Sequence, residues 1–201
     1  VDIEYRYLDA VFFSVQKGFG LPAGLSVLIL SPNSVKKAEK LSNTKNYSIG
    51  SYHNLLKLVA KSRELQTNET PNVLGLYLLA NVTADFLNIE VSNLKRRLDD
   101  QAHMLYSFFS EPEYYKDSQT KLSSSAYSAY IKEEKYQSKT TPVFEILKGS
   151  EGLVKFAAEK GLILGAGYND FKNQHIRIAN FPAHTEKDIN KLIRVVKSFN
   201  N

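Results

Sequence analysis

Apolar residues in the first half of the chain predict two strands and three helices. Two short runs rich in branched and aromatic residues, 10–16 and 26–31, are bounded by Gly or Pro and predict buried strands. A lysine-rich segment, 34–41, predicts a short helix, and spaced apolar residues over 53–65 predict an amphipathic one. The run 72–87 is apolar on nearly every side of a helix, so we expect it to be buried in a core or an interface.

The second half predicts strands and helices that can form two layers. It predicts a long amphipathic helix over 90–110, strands over 142–147 and 175–181, and helices over 149–161 and from Thr185 onward. Thr185 and the acid three residues later resemble a capping box at the start of the last helix. The stretch 111–139, after the first of these helices, is rich in Tyr, Ser and Lys, and its weak periodicity leaves the presence of a strand open. We therefore expect an α+β arrangement in this half.

The pattern also predicts two domains. The helix over 90–110 has a charged middle, and we interpret it as the bridge between a domain at residues 1–90 and a domain at residues 91–201. A length of 201 residues is enough for one large domain or two small ones. The chain opens at Val1 with an apparent mid-domain strand, so we expect it to be a segment of a longer protein.

Composition narrows the class of protein. Apolar residues make up 43% and charged residues 23%, as in ordinary globular proteins. No run reaches the roughly 20 apolar residues that a membrane-spanning helix needs, and no signal peptide is visible, which predicts a cytoplasmic protein that does not bind membranes. The absence of cysteine excludes disulfides and cysteine-ligated metals, and we predict no metal site.

The net charge of +5 does not predict a nucleic-acid partner. Basic residues are scattered, and the densest run, Lys95 to Arg97, lies next to Asp99 and Asp100 in the predicted long helix. A charged run with both signs is typical of a solvated helix face, whereas a nucleic-acid site needs basic residues clustered on one surface.

Lys17 is the strongest candidate for chemistry in the first half. It comes directly after the first apolar run, and ligands of open α/β sheets bind at the carboxyl ends of strands. A partly desolvated lysine has a lowered pKa and can act as an amine nucleophile. The following glycines, Gly18, Gly20 and Gly24, let the backbone approach a bulky group closely, and Gln16 offers an amide donor. From position and composition alone, a surface lysine at the exit of a strand is the favoured interpretation.

Three segments in order carry a resemblance to a known family. The segment SVQKGFGLPAGLSVLILS resembles the cofactor-lysine segment of class V (fold type I) aminotransferases that use pyridoxal phosphate, particularly the phosphoserine aminotransferase branch. LQTNETPNVLGLYLL resembles the Thr-Pro helix start of that family, and HIRIANFPAHT resembles its strand with a carboxylate-binding arginine. The resemblance implies an α/β fold: the end of the large cofactor domain, followed by the small α+β domain.

The resemblance also implies roles for the residues of the first two segments. Lys17 would form the Schiff base with pyridoxal phosphate and then carry the proton at the substrate's α-carbon, while Gln16 would bind the cofactor phosphate. Thr70 would contact the cofactor phosphate of a neighbouring subunit, so a homodimer with shared sites is expected. We also predict Thr70 to be the N-cap of the helix that follows, with Pro71 at its first position. Glu69 is left out, because a carboxylate repels a phosphate.

Arg177 is the candidate for binding substrate. In the family this arginine pairs with the substrate's α-carboxylate, a fork-to-fork fit that lysine cannot provide. From the residues alone, an outward-facing arginine on a half-buried strand is equally consistent, since its neighbours Ile176 and Ile178 point the other way.

One departure from the family concerns the substrate. Well-known phosphoserine enzymes have a His-Arg pair shortly before that arginine to bind the substrate phosphate, but here the aligned positions fall near Asp170 and Phe171. Lys172 and His175 could substitute, although neither is at the expected place, and His175 is better explained as a strand residue.

The function expected from these residues is reversible transfer of an amino group between an amino acid and a 2-oxo acid. Phosphoserine with 2-oxoglutarate is the first choice of substrates, and an enzyme acting on alanine or serine with glyoxylate is the alternative. A binding or assembly module that has lost the chemistry is the non-enzyme alternative, and the presence of both Lys17 and Arg177 argues against it. Upstream residues of the family that complete the cofactor site are not in this chain.

Overall fold

The computed structural model describes residues 3–44, 50–110 and 126–199. The chain divides into two compact units, Val1–Thr83 and Ala84–Asn201. The division falls inside one helix, and the domain boundary expected near residue 90 stays a prediction.

The first unit begins with a β-hairpin. Strands β1 (Ala10–Ser14) and β2 (Ser26–Leu30) pair antiparallel, with Ala10 opposite Leu30 and Ser14 opposite Ser26. Both predicted strands are present, although each is shorter than the apolar run that predicted it. The burial predicted for them is wrong, because neither strand contains a buried residue and Phe12 is 81% exposed.

Two amphipathic helices follow the hairpin. Helix α1 (Pro32–Ser42) is capped by Ser31, whose Oγ accepts a hydrogen bond of 3.1 Å from the Ser34 amide. Helix α2 (Leu55–Arg63) is capped in the same way by the side chain of Asn54. Both helices predicted in this region are confirmed, and each starts where a local capping residue places it.

Helix α3 (Val73–Asn88) starts later than the sequence predicts. The Oδ1 atom of Asn72 accepts a hydrogen bond of 2.9 Å from the Gly75 amide, so Asn72 is the cap. The prediction of Thr70 as the N-cap and Pro71 as the first helical residue is therefore wrong. The asparagine side chain folds over the first turn because Gly75 has no Cβ; a Cβ there would lie 2.7 Å from Asn72 Nδ2.

The side chains of α3 are largely exposed within this chain. Gly75 is its one buried residue, whereas five of its large apolar residues face solvent: Val73, Leu74, Leu76, Tyr77 and Leu87. The burial that its composition predicts is thus not supplied by the described residues. No single helix in the described ranges is long and apolar enough to span a membrane; α3 and the next helix reach that length and composition only as a bent pair.

The second unit is a sheet covered by helices. Its elements are α4 (Val91–Ser110), β3 (Tyr127–Ala129), β4 (Val143–Ile146), α5 (Glu151–Glu159), β5 (Gly165–Ala166), β6 (His175–Arg177) and α6 (Glu186–Phe199). The four strands pair antiparallel in the order β3-β4-β6-β5. The helices predicted over 90–110 and 149–161 and from Thr185 are confirmed.

One hydrophobic core holds the second unit together. Phe109 of α4 stacks on Phe144 of β4, with ring centres 4.3 Å apart and planes 19° apart. Fifteen buried residues form the cluster: Leu105, Phe108, Phe109, Tyr127, Ala129, Phe144, Ile146, Leu153, Ala157, Leu164, Ile176, Ile178, Ile189, Leu192 and Val196. The α+β arrangement expected for this half is confirmed, with helices α4, α5 and α6 contributing to one core with the sheet.

Strand β6 ends sooner than the run 175–181 predicts. The chain beyond it still follows its neighbour, because the Ile178 amide donates to the Pro142 carbonyl at 3.0 Å and the Asn180 amide to the Thr140 carbonyl at 2.9 Å. Proline has no N–H, so Pro142 cannot return a hydrogen bond and the ladder stops there.

The segment after β6 is tied to α4 by polar side chains. Arg97 donates from Nη2 to the Pro182 carbonyl at 2.7 Å, and Gln101 donates from Nε2 to the His184 carbonyl at 3.2 Å. These bonds hold the end of β6 against the helix, and with it the position of the strand that carries Arg177.

Candidate functional site

Lys17 lies in the loop that joins β1 to β2. The loop is anchored at Val15, which is fully buried and whose amide donates to the Leu25 carbonyl at 3.3 Å. The Leu21 amide donates back to the Val15 carbonyl at 3.2 Å. Gln16 and Lys17 follow this anchor directly, and both side chains are exposed.

The backbone at Lys17 forms a tight turn. The Gly20 amide donates to the Lys17 carbonyl at 2.9 Å, and Gly20 has a φ of 66°, which a residue with a side chain rarely adopts. The ring of Phe19 stacks on that of Phe13 in β1, with centres 5.3 Å apart. The glycine and the aromatic pair together fix the course of the loop beyond the lysine.

The burial expected for Lys17 is not found in this chain. The strand before it belongs to a two-stranded antiparallel sheet, and the described residues leave the lysine exposed. The reason is that the first unit encloses very little: Val15 is its one buried apolar residue among those described. Desolvation of the amine would have to come from groups outside the described residues.

The structure brings the lysine loop close to the start of α3. Gly24 has a φ of 113°, and a Cβ on it would lie 3.7 Å from Asn72 Nδ2. Thr70 is two residues before Asn72 and is exposed, and Glu69 beside it accepts a hydrogen bond through its carbonyl from Thr67 Oγ1. The loop with the amine of Lys17 and the amide of Gln16 therefore lies near the segment with the hydroxyl of Thr70, within the first unit.

Arg177 lies in the second unit, with its guanidinium held in a defined orientation. Its Nε donates to the Ala166 carbonyl of β5 at 2.6 Å, and the guanidinium carbon lies 3.9 Å from the centre of the Tyr168 ring. Gly165, directly opposite Arg177 in the strand pair, leaves room for it, since a Cβ there would be 3.4 Å from Arg177 Nη2. The residue as a whole is partly buried.

The two positions aligned with the family's phosphate-binding pair carry no phosphate-binding group. Phe171 stacks on His175, with ring centres 4.6 Å apart and planes 12° apart, and Asp170 is exposed. His175 is buried between Phe171 and Tyr130, whose ring centre is 4.4 Å away. The interpretation of His175 as a strand residue is supported, and it cannot replace the missing pair; Lys172 remains exposed.

Two residues at these sites were missed in the sequence. Asn72 was passed over because Thr70 and Pro71 also match a helix start, although the spacing from Asn72 to Gly75 carries the capping pattern. Tyr168 gave no usable pattern, because its contact with Arg177 depends on the turn between β5 and β6. In the described ranges no three His, Asp or Glu side chains are placed to hold a metal ion.

Comparison with known proteins finds matches over nearly the whole chain. No family model matches it. A solved phosphoserine aminotransferase from Cytophaga hutchinsonii superposes with a TM-score of 0.86 and 34% sequence identity, covering 97% of this chain and 50% of the other. The chain is homologous to phosphoserine aminotransferases.

More distant matches agree with this homology. A curated phosphoserine aminotransferase from Nocardioides sp. is 21% identical over 198 residues, which is 96% of this chain. A phosphoserine aminotransferase from Trichomonas vaginalis, described as bound to pyridoxal phosphate, has the same fold with a TM-score of 0.73 at 15% identity.

The chain spans about half the length of these relatives, 49% in the curated one and 50% in the solved structure from Cytophaga hutchinsonii. Its mixed helix and sheet architecture is therefore part of the fold of the pyridoxal-phosphate-dependent aminotransferases, consistent with a C-terminal portion.

Proposed function

We propose that this chain is the C-terminal part of a pyridoxal-phosphate-dependent aminotransferase that acts on phosphoserine and 2-oxoglutarate. The observation that carries the proposal is the similarity to a phosphoserine aminotransferase over 97% of the chain at 34% identity. The presence of Lys17 and Arg177 in the two segments that resemble the family's cofactor and substrate sites supports it.

The residues around Lys17 fit the cofactor chemically. Pyridoxal phosphate supplies an aldehyde for covalent attachment and an electron-poor ring that makes the substrate's α-proton acidic. A primary amine is the group that condenses with an aldehyde, and Lys17 presents one on an exposed loop. Apart from Gly18 and its two chain neighbours, no described residue has an atom within 4 Å of the position that a Cβ on Gly18 would take, so there is open space next to the lysine.

In this proposal Lys17 has two tasks. Its amine holds the cofactor in the resting enzyme, and once released it moves the proton at the substrate's α-carbon. An amine must be uncharged to take up a proton, and desolvation disfavours the charged form of a lysine, so the proposed site has to cover this amine. The described residues leave the Lys17 side chain exposed, so this cover would have to come from groups outside them.

Gln16 and Thr70 are proposed to bind the cofactor phosphate. The amide N–H of Gln16 and the hydroxyl of Thr70 are donors for phosphate oxygens, and the start of α3 just beyond Thr70 favours an anion through its free amides. Thr70 would act on the cofactor of a second subunit, so the proposed assembly is a homodimer. A cytoplasmic location also remains a prediction from the sequence.

Arg177 is proposed to bind the α-carboxylate of the amino acid. Its Nε is already bonded to Ala166, so the Nη groups are left to bind the carboxylate. Phosphate recognition by the pair used in well-known relatives is not available, since Phe171 packs on His175. The choice of phosphoserine therefore rests on the names of the relatives, and the alanine- or serine-glyoxylate alternative gains no support.

The first experiment tests attachment of the cofactor. The complete protein is incubated with pyridoxal phosphate, reduced with borohydride and analysed by intact and peptide mass spectrometry. We expect one added cofactor on the peptide with Lys17, its loss in Lys17→Ala, and its retention in Lys57→Ala, which removes an exposed lysine of α2. An unmodified Lys17 in the complete protein would overturn the proposal and favour a fold without this chemistry.

The second experiment identifies the amino donor. Phosphoserine, alanine and serine are compared with 2-oxoglutarate and glyoxylate as acceptors, and we expect phosphoserine with 2-oxoglutarate to have the highest kcat/KM. Higher values for alanine or serine with glyoxylate would leave the aminotransferase proposal in place and replace its substrate.

A further inference from the structure

The turn between β5 and β6 covers the outward side chains of β6. Tyr168 lies on the guanidinium of Arg177, and Phe171 lies on the imidazole of His175. His175 and Arg177 are two residues apart on one strand and so point to the same side of the sheet. Two aromatic rings from one short segment therefore cover two consecutive outward side chains.

This turn is rigidly built. The Gly167 amide donates to the His175 carbonyl at 2.9 Å, and a Cβ on Gly167 would overlap the carbonyl oxygen of Phe171. Asn169 has a φ of 47°, and the Gln174 amide closes the turn on the Phe171 carbonyl at 3.1 Å. The backbone that carries Tyr168 is thus fixed at both ends.

The ring of Tyr168 restricts a rotation of the Arg177 guanidinium that its hydrogen bond to Ala166 permits. The bond from Nε to Ala166 fixes one edge of the guanidinium but permits rotation about that bond. The guanidinium carbon lies 3.9 Å from the centre of the Tyr168 ring, and contact with the aromatic face opposes this rotation, because a planar cation is attracted to that face. Among the described residues neither Nη group of Arg177 has a hydrogen-bond partner, so both remain for a ligand.

We propose that Tyr168 is a positioning residue that orients the Arg177 guanidinium for the substrate's carboxylate. The inference rests on the proposed carboxylate-binding role of Arg177 and adds a residue to it. A bidentate pair needs its two N–H groups in one plane with the carboxylate, so a guanidinium held in that plane before binding loses less entropy when the ligand arrives. The aromatic face is the part of Tyr168 that matters, and its hydroxyl is not needed.

The test uses the complete protein loaded with pyridoxal phosphate. Binding of glutarate, a dicarboxylate that cannot react, is measured by calorimetric titration for wild type, Tyr168→Phe, Tyr168→Leu and Arg177→Ala. Tyr136→Leu is the matched control, because Tyr136 is 67% exposed, as Tyr168 is 66%, and covers Lys135 instead of the arginine. Steady-state kinetics with 2-oxoglutarate give KM and kcat for the same variants.

We expect Tyr168→Leu to weaken glutarate binding about tenfold, which is within the range of a partly desolvated cation–π contact. KM for 2-oxoglutarate should rise by a similar factor with kcat little changed, whereas Tyr168→Phe and Tyr136→Leu should match wild type. Should Tyr168→Leu fail to fold, Tyr168→Met replaces it with the same expected loss.

Two results separate the failure of this inference from failure of the proposed function. Unchanged glutarate binding in Tyr168→Leu, together with a large loss in Arg177→Ala, would overturn the role of Tyr168 and leave Arg177 in place. Unchanged binding in both variants would overturn the carboxylate-binding role of Arg177 itself.

Discussion

The side-chain amide of Asn180 donates a hydrogen bond of 2.8 Å to the backbone carbonyl of Leu98 in α4. The same Nδ2 donates a second bond of 2.8 Å to the Lys139 carbonyl, and the residue is fully buried. One amide therefore joins the segment after β6 to a helix and to the segment before β4.

Replacing Asn180 should destabilise the second unit. Asn180→Ala removes both hydrogen bonds and should lower the free energy of unfolding by about 1–3 kcal/mol. Asn180→Asp should cost more, because a carboxylate has no N–H and would face two carbonyl oxygens in a buried site. Urea unfolding of the complete protein measures both. The control is Asn190→Ala on the exposed side of α6, and an aspartate variant as stable as wild type would contradict the prediction.

Tyr106 should make stability depend on alkaline pH. Burial raises the pKa of its hydroxyl to about 12, and this hydroxyl also donates to the Ser138 carbonyl at 3.0 Å. The folded state therefore holds the proton more tightly than the unfolded state, whose pKa is about 10. The stabilisation is complete below pH 10 and is lost as the pH rises from about 10 to about 12.

Thermal unfolding between pH 8 and pH 11 tests this expectation by comparing wild type with Tyr106→Phe. At pH 8 the free energy of unfolding of the phenylalanine variant should be lower than that of wild type by roughly 1 kcal/mol, because one hydrogen bond is lost. Above pH 10 it should decline less steeply than that of wild type. Tyr136→Phe, at an exposed position, should keep the slope of wild type. Parallel curves for wild type and Tyr106→Phe would show that Tyr106 titrates normally.

The start of α6 should depend on acid pH. Asp188 accepts hydrogen bonds from the Thr185 amide at 2.8 Å and from the Thr185 hydroxyl at 2.7 Å, and these bonds lower the pKa of the carboxyl. A lowered pKa contributes stability above the ordinary carboxyl pKa of about 4, and this contribution is lost as the pH falls below it.

Asp188→Asn should therefore be less stable than wild type at pH 7, and the difference should shrink on acidification to pH 3. Thr185→Ala removes the cap and should cost about 1 kcal/mol at pH 7, with a smaller cost at pH 3, because its hydroxyl also donates to the Asp188 carboxylate. Asp100→Asn, at an exposed site in α4, is the control and should show no such dependence. A constant difference between Asp188→Asn and wild type from pH 7 to pH 3 would refute the assignment.

Asn72 and Thr70 should have separable effects. Asn72 caps α3, so Asn72→Ala should lower the free energy of unfolding by about 1 kcal/mol. Thr70→Ala removes an exposed side chain that caps nothing and should leave stability nearly unchanged while weakening the binding of pyridoxal phosphate. Unfolding curves and cofactor titration by absorbance measure the two effects, and a large loss of stability in Thr70→Ala would restore it as the cap.

The sequence predicted correctly those helices whose bounds are set by residues within or next to the helix. Helix α4 was predicted within one residue of its start, because its apolar stripe is continuous, and α6 was predicted from Thr185 and the acid that caps it. The start of α3 was missed by two residues, because Thr70, Pro71 and Asn72 each match the start of a helix. The hydrogen bond from the Gly75 amide to the Asn72 side chain decides among them.

Features that depend on distant segments could not be predicted in the same way. The early end of β6 is set by Pro142, which lies just before the neighbouring strand β4. The two-residue strand β5 is too short to show any alternation. The glycine turn after Lys17 was visible in the sequence, but its exposure was not, because burial depends on what else covers the loop. For the same reason the roles of Lys17, Gln16, Thr70 and Arg177 stay predictions until they are measured.

Position 167 should tolerate no amino acid but glycine. Every other amino acid adds a Cβ at a place already filled by the Phe171 backbone, where even the carbonyl carbon would be 2.7 Å away. A library of all single substitutions should therefore be depleted of every codon but those for glycine at this position. Positions in the turn with exposed side chains, such as Lys172, should accept many codons. The exposed surface of the turn could therefore change in sequence while Arg177 keeps its orientation.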